Sequence, residues 1–232
     1  MKWGSLGLGN GQFEFPRGIA IDNSGYIYVA DGGRYSNSQI QKFNTDGTFI
    51  STWGDGAGLG GAWGILTDDG GNNIFVSDSV NCHISQFSGN GSYMTEWSSG
   101  GTNNGELESP RGMARNGLWD FYIADIGNNR IQKFDSNGSF LIAWGSLGSS
   151  NGQFHNPMGV AIDGLENVYV ADTDNNRIQK FDSNGAFLIA WGSIGSGDGQ
   201  FIYPSALVVD GLGNVYVAET GMHRIQKFSP QY

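Results

Sequence analysis

One cysteine, Cys82, stands in 232 residues, so no disulfide within the chain staples the fold, and the redox compartment stays open. Five prolines are too few for a polyproline or low-complexity segment. Positive charge is scarce as well: 12 Lys and Arg against 22 Asp and Glu leave a formal net charge of -10, and the basic residues are scattered rather than clustered. That balance excludes a non-specific phosphate-binding surface, so no nucleic-acid partner is expected. No apolar run approaches the ~20 residues of a membrane span, so none is expected. Met1-Lys2-Trp3 does not read as a signal peptide. The reading leans to an extracytoplasmic, secreted protein whose signal peptide is absent from this chain. Also missing are a nucleophile elbow, a Ser/His/Asp constellation, a phosphate-cradling glycine loop and an EF-hand loop. Asp172-Thr-Asp174-Asn-Asn starts like a Ca²⁺ loop but lacks the later Gly and Glu.

Glycine is abundant at 39 residues, and the 13% aromatic content argues against disorder. Asn128 to Ser149, NNRIQKFDSNGSFLIAWGSLGS, returns at Asn175 to Ser196 with only Ser139/Ala186 and Leu147/Ile194 changed. Asp31, Asp78, Asp125, Asp172 and Glu219 follow one another at a period of 47 residues. Phe43, Phe87, Phe134, Phe181 and Phe228 mark a second position of the repeat, and Trp53, Trp97, Trp144 and Trp191 a third. The fifth copy of the tryptophan is Trp3, because MKWGSLGLGNGQFEFP aligns with IAWGSLGSSNGQFHNP three periods later. The chain thus starts with the segment that its last repeat lacks.

Each repeat reads as four short strands. In the fourth they are Met158 to Ile162, Asn167 to Ala171, Arg177 to Phe181 and Ala186 to Trp191, divided by Asp-Gly, Asp-Asn-Asn and Ser-Asn-Gly turn signals. No stretch holds a helical period. Isolated four-stranded sheets would leave apolar faces and open edges, whereas five stacked about an axis bury their faces against one another. The expectation is an all-β, five-bladed β-propeller of four-stranded antiparallel blades. The N-terminal strand closes the ring on the C-terminal blade, so residues 1–232 form a single domain and residues 1–4 complete blade five. A monomer is expected, with exchange of the short N-terminal strand as the variant.

The pattern P-x-G-(V/I)-A-(V/I)-D, then N-x-Y-V-A-D-x-x-N-N-R-I-Q-K-F, then G-x-F-x-x-x-W-G, resembles the NHL-repeat propellers from Trp3 to Phe228. The resemblance implies the propeller fold; the commoner relatives have six blades. In function it implies protein-interaction modules, RNA-binding modules, peptide-amidating lyases or lactonase and hydrolase relatives.

Residues that recur from repeat to repeat read as structural. Asp125 with Arg130, Asp172 with Arg177 and Glu219 with Arg224 pin the turn between second and third strands; Lys42, Lys133, Lys180 and Lys227 are placed on a solvated face; Asp22, Asp68, Asp163 and Asp210 sit in turns. Function is sought where the repeats differ. The first repeat inserts Arg34 and Tyr35 into its second connection, and the connection that follows is shortened and ends in Trp63. The residue opening each innermost strand is Arg17, Trp63, Arg111, Met158 or Ser205. Arg17, Tyr35, Trp63, Arg111 and Tyr203 are therefore the expected contact set of a non-enzymatic propeller binding a protein or glycan through one loop face. The bland reading keeps Trp63 as a filler of the deleted loop and the arginines as partners of nearby acids. Trp119 breaks the pattern on the opposite face. The alternative is a metal-dependent lyase or lactonase-like hydrolase at the channel mouth, since the similar amidating lyases use a His-ligated metal near the axis. His83, His155 and His223 would be its zinc ligands, but zinc needs its ligands within about 2.1 Å of one point, and His83 and His223 belong to the outer half of their blades. No zinc, calcium or other cofactor is expected.

Overall fold

The computed structural model describes residues 2–32, 38–54 and 58–230. The chain falls into two compact units, Met1–Gly101 and Thr102–Tyr232. In the first, β1 (Pro16–Ile21), β2 (Ile27–Gly32), β3 (Ser38–Phe43) and β4 (Phe49–Trp53) make blade one. Blade two is β5 (Ala62–Thr67), β6 (Asn73–Asp78), β7 (His83–Ser88) and β8 (Tyr93–Trp97). In the second unit, β9 (Pro110–Arg115), β10 (Phe121–Asp125), β11 (Arg130–Phe134) and β12 (Phe140–Trp144) make blade three. Blade four is β13 (Pro157–Ile162), β14 (Val168–Asp172), β15 (Arg177–Phe181) and β16 (Phe187–Trp191), and blade five has β17 (Pro204–Val209), β18 (Val215–Glu219) and β19 (Arg224–Phe228). These are the five blades of an all-β propeller, each an antiparallel meander in chain order. Within each unit the first strand of one blade packs against the first strand of the next, β1 on β5, β9 on β13 and β13 on β17.

The strand limits follow the turn chemistry. Asp135, Asp163, Asp182 and Asp210 each accept backbone N–H bonds from residues two and four positions on, closing the hairpin. The register repeats too: Asp125↔Arg130, Asp172↔Arg177 and Glu219↔Arg224 are directly opposed. A bulge recurs between Lys and Phe of the third strand and between the opening Pro and Gly of the first. The recurring acid is thus the last residue of the second strand, one place beyond the Ala171 end expected for the fourth repeat.

The core lies between blades. Tyr122, Ala124 and Ile131 of blade three pack with Val160, Val168 and Phe181 of blade four, and Tyr169, Ala171 and Ile178 continue this against Val215, Val217 and Phe228 of blade five. Glycine in the first strand is dictated by this approach. A Cβ on Gly112 would lie 2.5 Å from the Met158 carbonyl oxygen, and one on Gly159 would lie 2.9 Å from that of Ser205. Among the described residues no helix is long and apolar enough to cross a membrane.

Candidate functional site

The repeated polar residues are consumed in a clamp. Asp172, buried, takes the His155 N–H at 2.7 Å, the Asn175 side-chain amide at 3.0 Å and the Gln179 amide at 3.0 Å, and pairs with Arg177 Nε at 2.7 Å. Arg177 Nη2 donates to the carbonyls of Ser150 and Gln153, while Gln179 accepts the Gly152 N–H and donates to the Gln153 carbonyl. The acid, Arg and Gln thus tie the turn between second and third strands to the glycine-rich connection entering the same blade. Asp125 with Arg130 and Gln132 repeats the set, and so does Glu219 with Arg224 and Gln226. The Arg and acid pairing was legible from their spacing. The clamping glutamine was missed, although its place in every I-Q-K-F segment was the available signal.

The first unit departs from this scheme. Blade one has Gln39 in the Arg position, 3.5 Å from Asp31, and keeps Gln41 bonded to Gly11 and Gln12. Blade two has His83 there, 3.8 Å from Asp78 and 3.6 Å from Glu96, with Ser85 Oγ 3.1 Å from its Nε2. Asp78 instead holds the shortened connection through the Gly60 and Gly61 N–H groups.

Of the four lysines, Lys227 is exposed as expected, but Lys42, Lys133 and Lys180 do not lie on a solvated face. Lys42, Lys133 and Lys180 cover the rings of Tyr28, Tyr122 and Tyr169 at 5.1, 5.1 and 4.8 Å. Lys133 and Lys180 also pair with Asp120 and Asp163 and are only 13% and 16% exposed. A flexible stem and a cationic head suit the space over a ring next to a hairpin carboxylate. Burial, with the Asp163 hydrogen bond next, pushes the Tyr169 hydroxyl well above its ordinary value. Asp163 lies below the carboxylate range because the Asn167 side-chain bond and the other donors to it outweigh its burial.

Against that background the unrepeated residues stand out. Arg17 and Trp63 open β1 and β5, and the Arg17 guanidinium sits 4.1 Å from the Trp63 ring centroid and 5.6 Å from that of Phe15. Arg17 is exposed and Trp63 half-buried, with the glycine approach of β1 to β5 setting the pair together. Partial desolvation lowers the Arg17 pKa from its ordinary value, and an arginine so far above neutral keeps its charge. Arg111, half-buried, opens β9 in the second unit. Tyr203, 52% exposed, precedes β17 with a left-handed φ of 53°, where blade four has Asn156 at the same angle. Its N–H is held by the Asn176 side chain at 3.1 Å. Tyr35 falls outside the described residues. On the hairpin joining β9 to β10, Arg115 lies 3.7 Å from the Trp119 ring centroid, and this second Arg–Trp stack was not anticipated.

The three histidines have separate surroundings. His83 sits in the altered clamp of blade two, and exposed His155 is 3.6 Å from Asp174. His223 occupies a left-handed turn position with φ 53°, shared with Cys82, Asn129 and Asn176. Among the described residues no group of three or more His, Cys, Asp and Glu side chains is placed to hold a metal ion.

Residues 13–43, 154–181 and 201–228 match the NHL repeat family. No curated protein matches the chain. Among solved structures the fold is similar to a nidogen/laminin complex, with 20% identity over 93% of this chain and 76% of the other at a TM-score of 0.71. A streptogramin B lyase aligns at 16% identity over 91% of this chain and 64% of its own, TM-score 0.68. A virginiamycin B lyase from Staphylococcus aureus aligns at 14% identity over 93% and 70%, TM-score 0.65. At these identities the likeness is one of fold.

Proposed function

From a five-bladed β-propeller that carries NHL repeats, we propose a non-enzymatic binding module whose contact set is Arg17, Trp63, Arg111 and Tyr203, with Tyr35, and whose partner is a protein or a surface glycan. The carrying observation is the contrast between repeated and unrepeated polar groups. The recurring Asp, Arg and Gln side chains of the second unit are tied to backbone and to one another, which leaves little chemistry in them for a ligand. Arg17 on Trp63 instead offers a charged, planar, solvent-reachable pair, the residue types that anchor interfaces. The single-domain ring over residues 1–232 is part of this proposal. A protein complex among the structural neighbours agrees with a binding role.

The test takes the Arg17→Ala, Trp63→Ala double variant beside the wild type in affinity capture followed by titration of the captured partner, with a glycan array in parallel. A correctly folded variant that loses ~30-fold or more in affinity supports the site, in line with the ~2 kcal/mol of a hot spot; unchanged affinity refutes it.

The second reading is a lyase or lactonase-like hydrolase acting at the channel mouth, and the two lyases that share the fold favour it. Metal analysis of the purified protein separates the two. Stoichiometric zinc or calcium supports the enzyme, and metal-free protein with undiminished partner binding supports the module.

A further inference from the structure

Arg130, Arg177 and Arg224 each spend the guanidinium on a buried acid and on backbone carbonyls of the connection before it. Arg17 differs. Among the described residues its guanidinium has neither a hydrogen bond nor an ion pair, only the rings of Trp63 and Phe15. Asp31, opposite Pro16 in the strand register, is at hand, yet its carboxylate takes the Glu14 and Phe15 N–H groups at 3.1 and 2.7 Å. The side chain is therefore an exposed cation whose neighbouring acid is engaged elsewhere.

Its placement is nonetheless fixed. A Cβ on Gly18 would collide with the Trp63 carbonyl oxygen, and one on Gly32 would lie 3.5 Å from Arg17 Cγ, so both glycines are needed to bring β1, β2 and β5 close enough for the stack. At 4.1 Å from the ring centroid the guanidinium covers the indole with one of its faces. Stacking leaves the N–H edge open, and that edge is the part of an arginine that matches a carboxylate bidentately. The partial loss of water that lowers the Arg17 pKa is not compensated within the chain, and an oxyanion at the open edge offsets it.

We propose that the N–H edge of Arg17 takes a carboxylate from an acidic segment of a partner protein. The inference rests on the binding reading of the same site and names the group that Arg17 recognises. A carboxylate fits better than a phosphate because one fork supplies one positive charge, and Lys42 of the same blade is held at the Gly89 carbonyl and over Tyr26. A protein segment fits better than a glycan because the indole face on which a sugar ring would stack carries the guanidinium. The net charge of -10 repels acidic partners at long range, so the attraction belongs to this fork and not to a basic surface.

Arginine Nε–H signals in a ¹⁵N–¹H spectrum read the contact directly. Arg130, Arg177 and Arg224 already donate Nε–H to Asp125, Asp172 and Glu219 at 2.7 Å, so their signals mark the carboxylate-bound position. Titration with hexaglutamate is expected to move the Arg17 signal, assigned by its loss in Arg17→Lys, toward theirs while theirs stay in place. Inorganic phosphate and a uronic-acid oligosaccharide are the competing probes. With the captured partner, Arg17→Gln is expected to cost ~10-fold or more in affinity, the order of one hydrogen-bonded charged contact, and Arg17→Lys, which keeps the charge without the fork, to recover little of it. An Arg17 signal unmoved by hexaglutamate, equal movement with phosphate or the oligosaccharide, or full recovery with lysine would overturn the carboxylate. Failure of the site itself looks different, since the Arg17→Ala, Trp63→Ala double variant then binds the partner unchanged. A partner with amidated carboxyls that binds the wild type undiminished, yet loses affinity for Trp63→Ala, keeps the site and sinks the carboxylate.

Discussion

The buried Asp172 carries an ion pair and several hydrogen bonds, and Arg177 is the member that cannot be replaced by a shorter side chain, because its fork reaches the Ser150 and Gln153 carbonyls as well. Arg177→Ala is expected to cost about 3 kcal/mol, the order found when one partner leaves a buried pair; urea unfolding of the variant measures it. The blade-five version adds a pH signature. Burial raises the Glu219 pKa, but the bonds from Arg224, Gln226 and the Ile202 N–H outweigh it, so the carboxyl titrates below the ordinary glutamate range. A depressed folded-state pKa stabilises the fold above the unfolded value, and that contribution is lost as pH falls through the folded one. The melting temperature is therefore expected to fall with acidification below the ordinary glutamate range, and Glu219→Gln to flatten that part of the profile. Tyr203 tells a different residue-scale story. A bulky side chain at φ 53° is strained where blade four uses asparagine, so Tyr203→Asn is expected to raise stability by on the order of 1 kcal/mol while weakening partner binding, a split that thermal melting and titration resolve.

Among elements, the turn after the third strand of blades two and four is set by the preceding blade as much as by its own residues. Gly185 has φ +81°, and a Cβ there would meet the Trp144 ring at 2.6 Å. Blade three thus dictates a glycine in a blade-four hairpin, through a tryptophan that arrives 41 residues earlier in the chain. Gly185→Ala strains the backbone and displaces the ring together, and is expected to destabilise by about 2 kcal/mol or more; the matching change at the unencumbered Gly152, also at positive φ (+79°) but with nothing within 4 Å, is expected to cost less. Comparing the two in chemical denaturation separates packing from backbone strain.

For the molecule as a whole, the 47-residue period, the turn signals and the recurring aromatics were sufficient to read the five blades and their strands, because periodicity, hairpin chemistry and core alternation are local properties. The same spacing exposed the Asp–Arg pairs, since directly opposed residues on neighbouring strands are set by the hairpin length. The meeting of Arg17 with Trp63 was legible only as shared membership in a set of first-strand residues; the stacking itself needed the approach of β1 to β5. Tyr35 remains a sequence expectation. The solvated face was a misreading for Lys133 and Lys180, because the tyrosine beneath each comes from the adjacent strand and the carboxylate from the hairpin beyond it, while Lys227 is exposed as expected. By itself the sequence determined the repeat, the blade and the core positions. Tertiary structure alone decided which of those core positions are covered, since Ile225 and Ile178 occupy identical local sequence in RIQKF yet one is 64% exposed and the other fully buried.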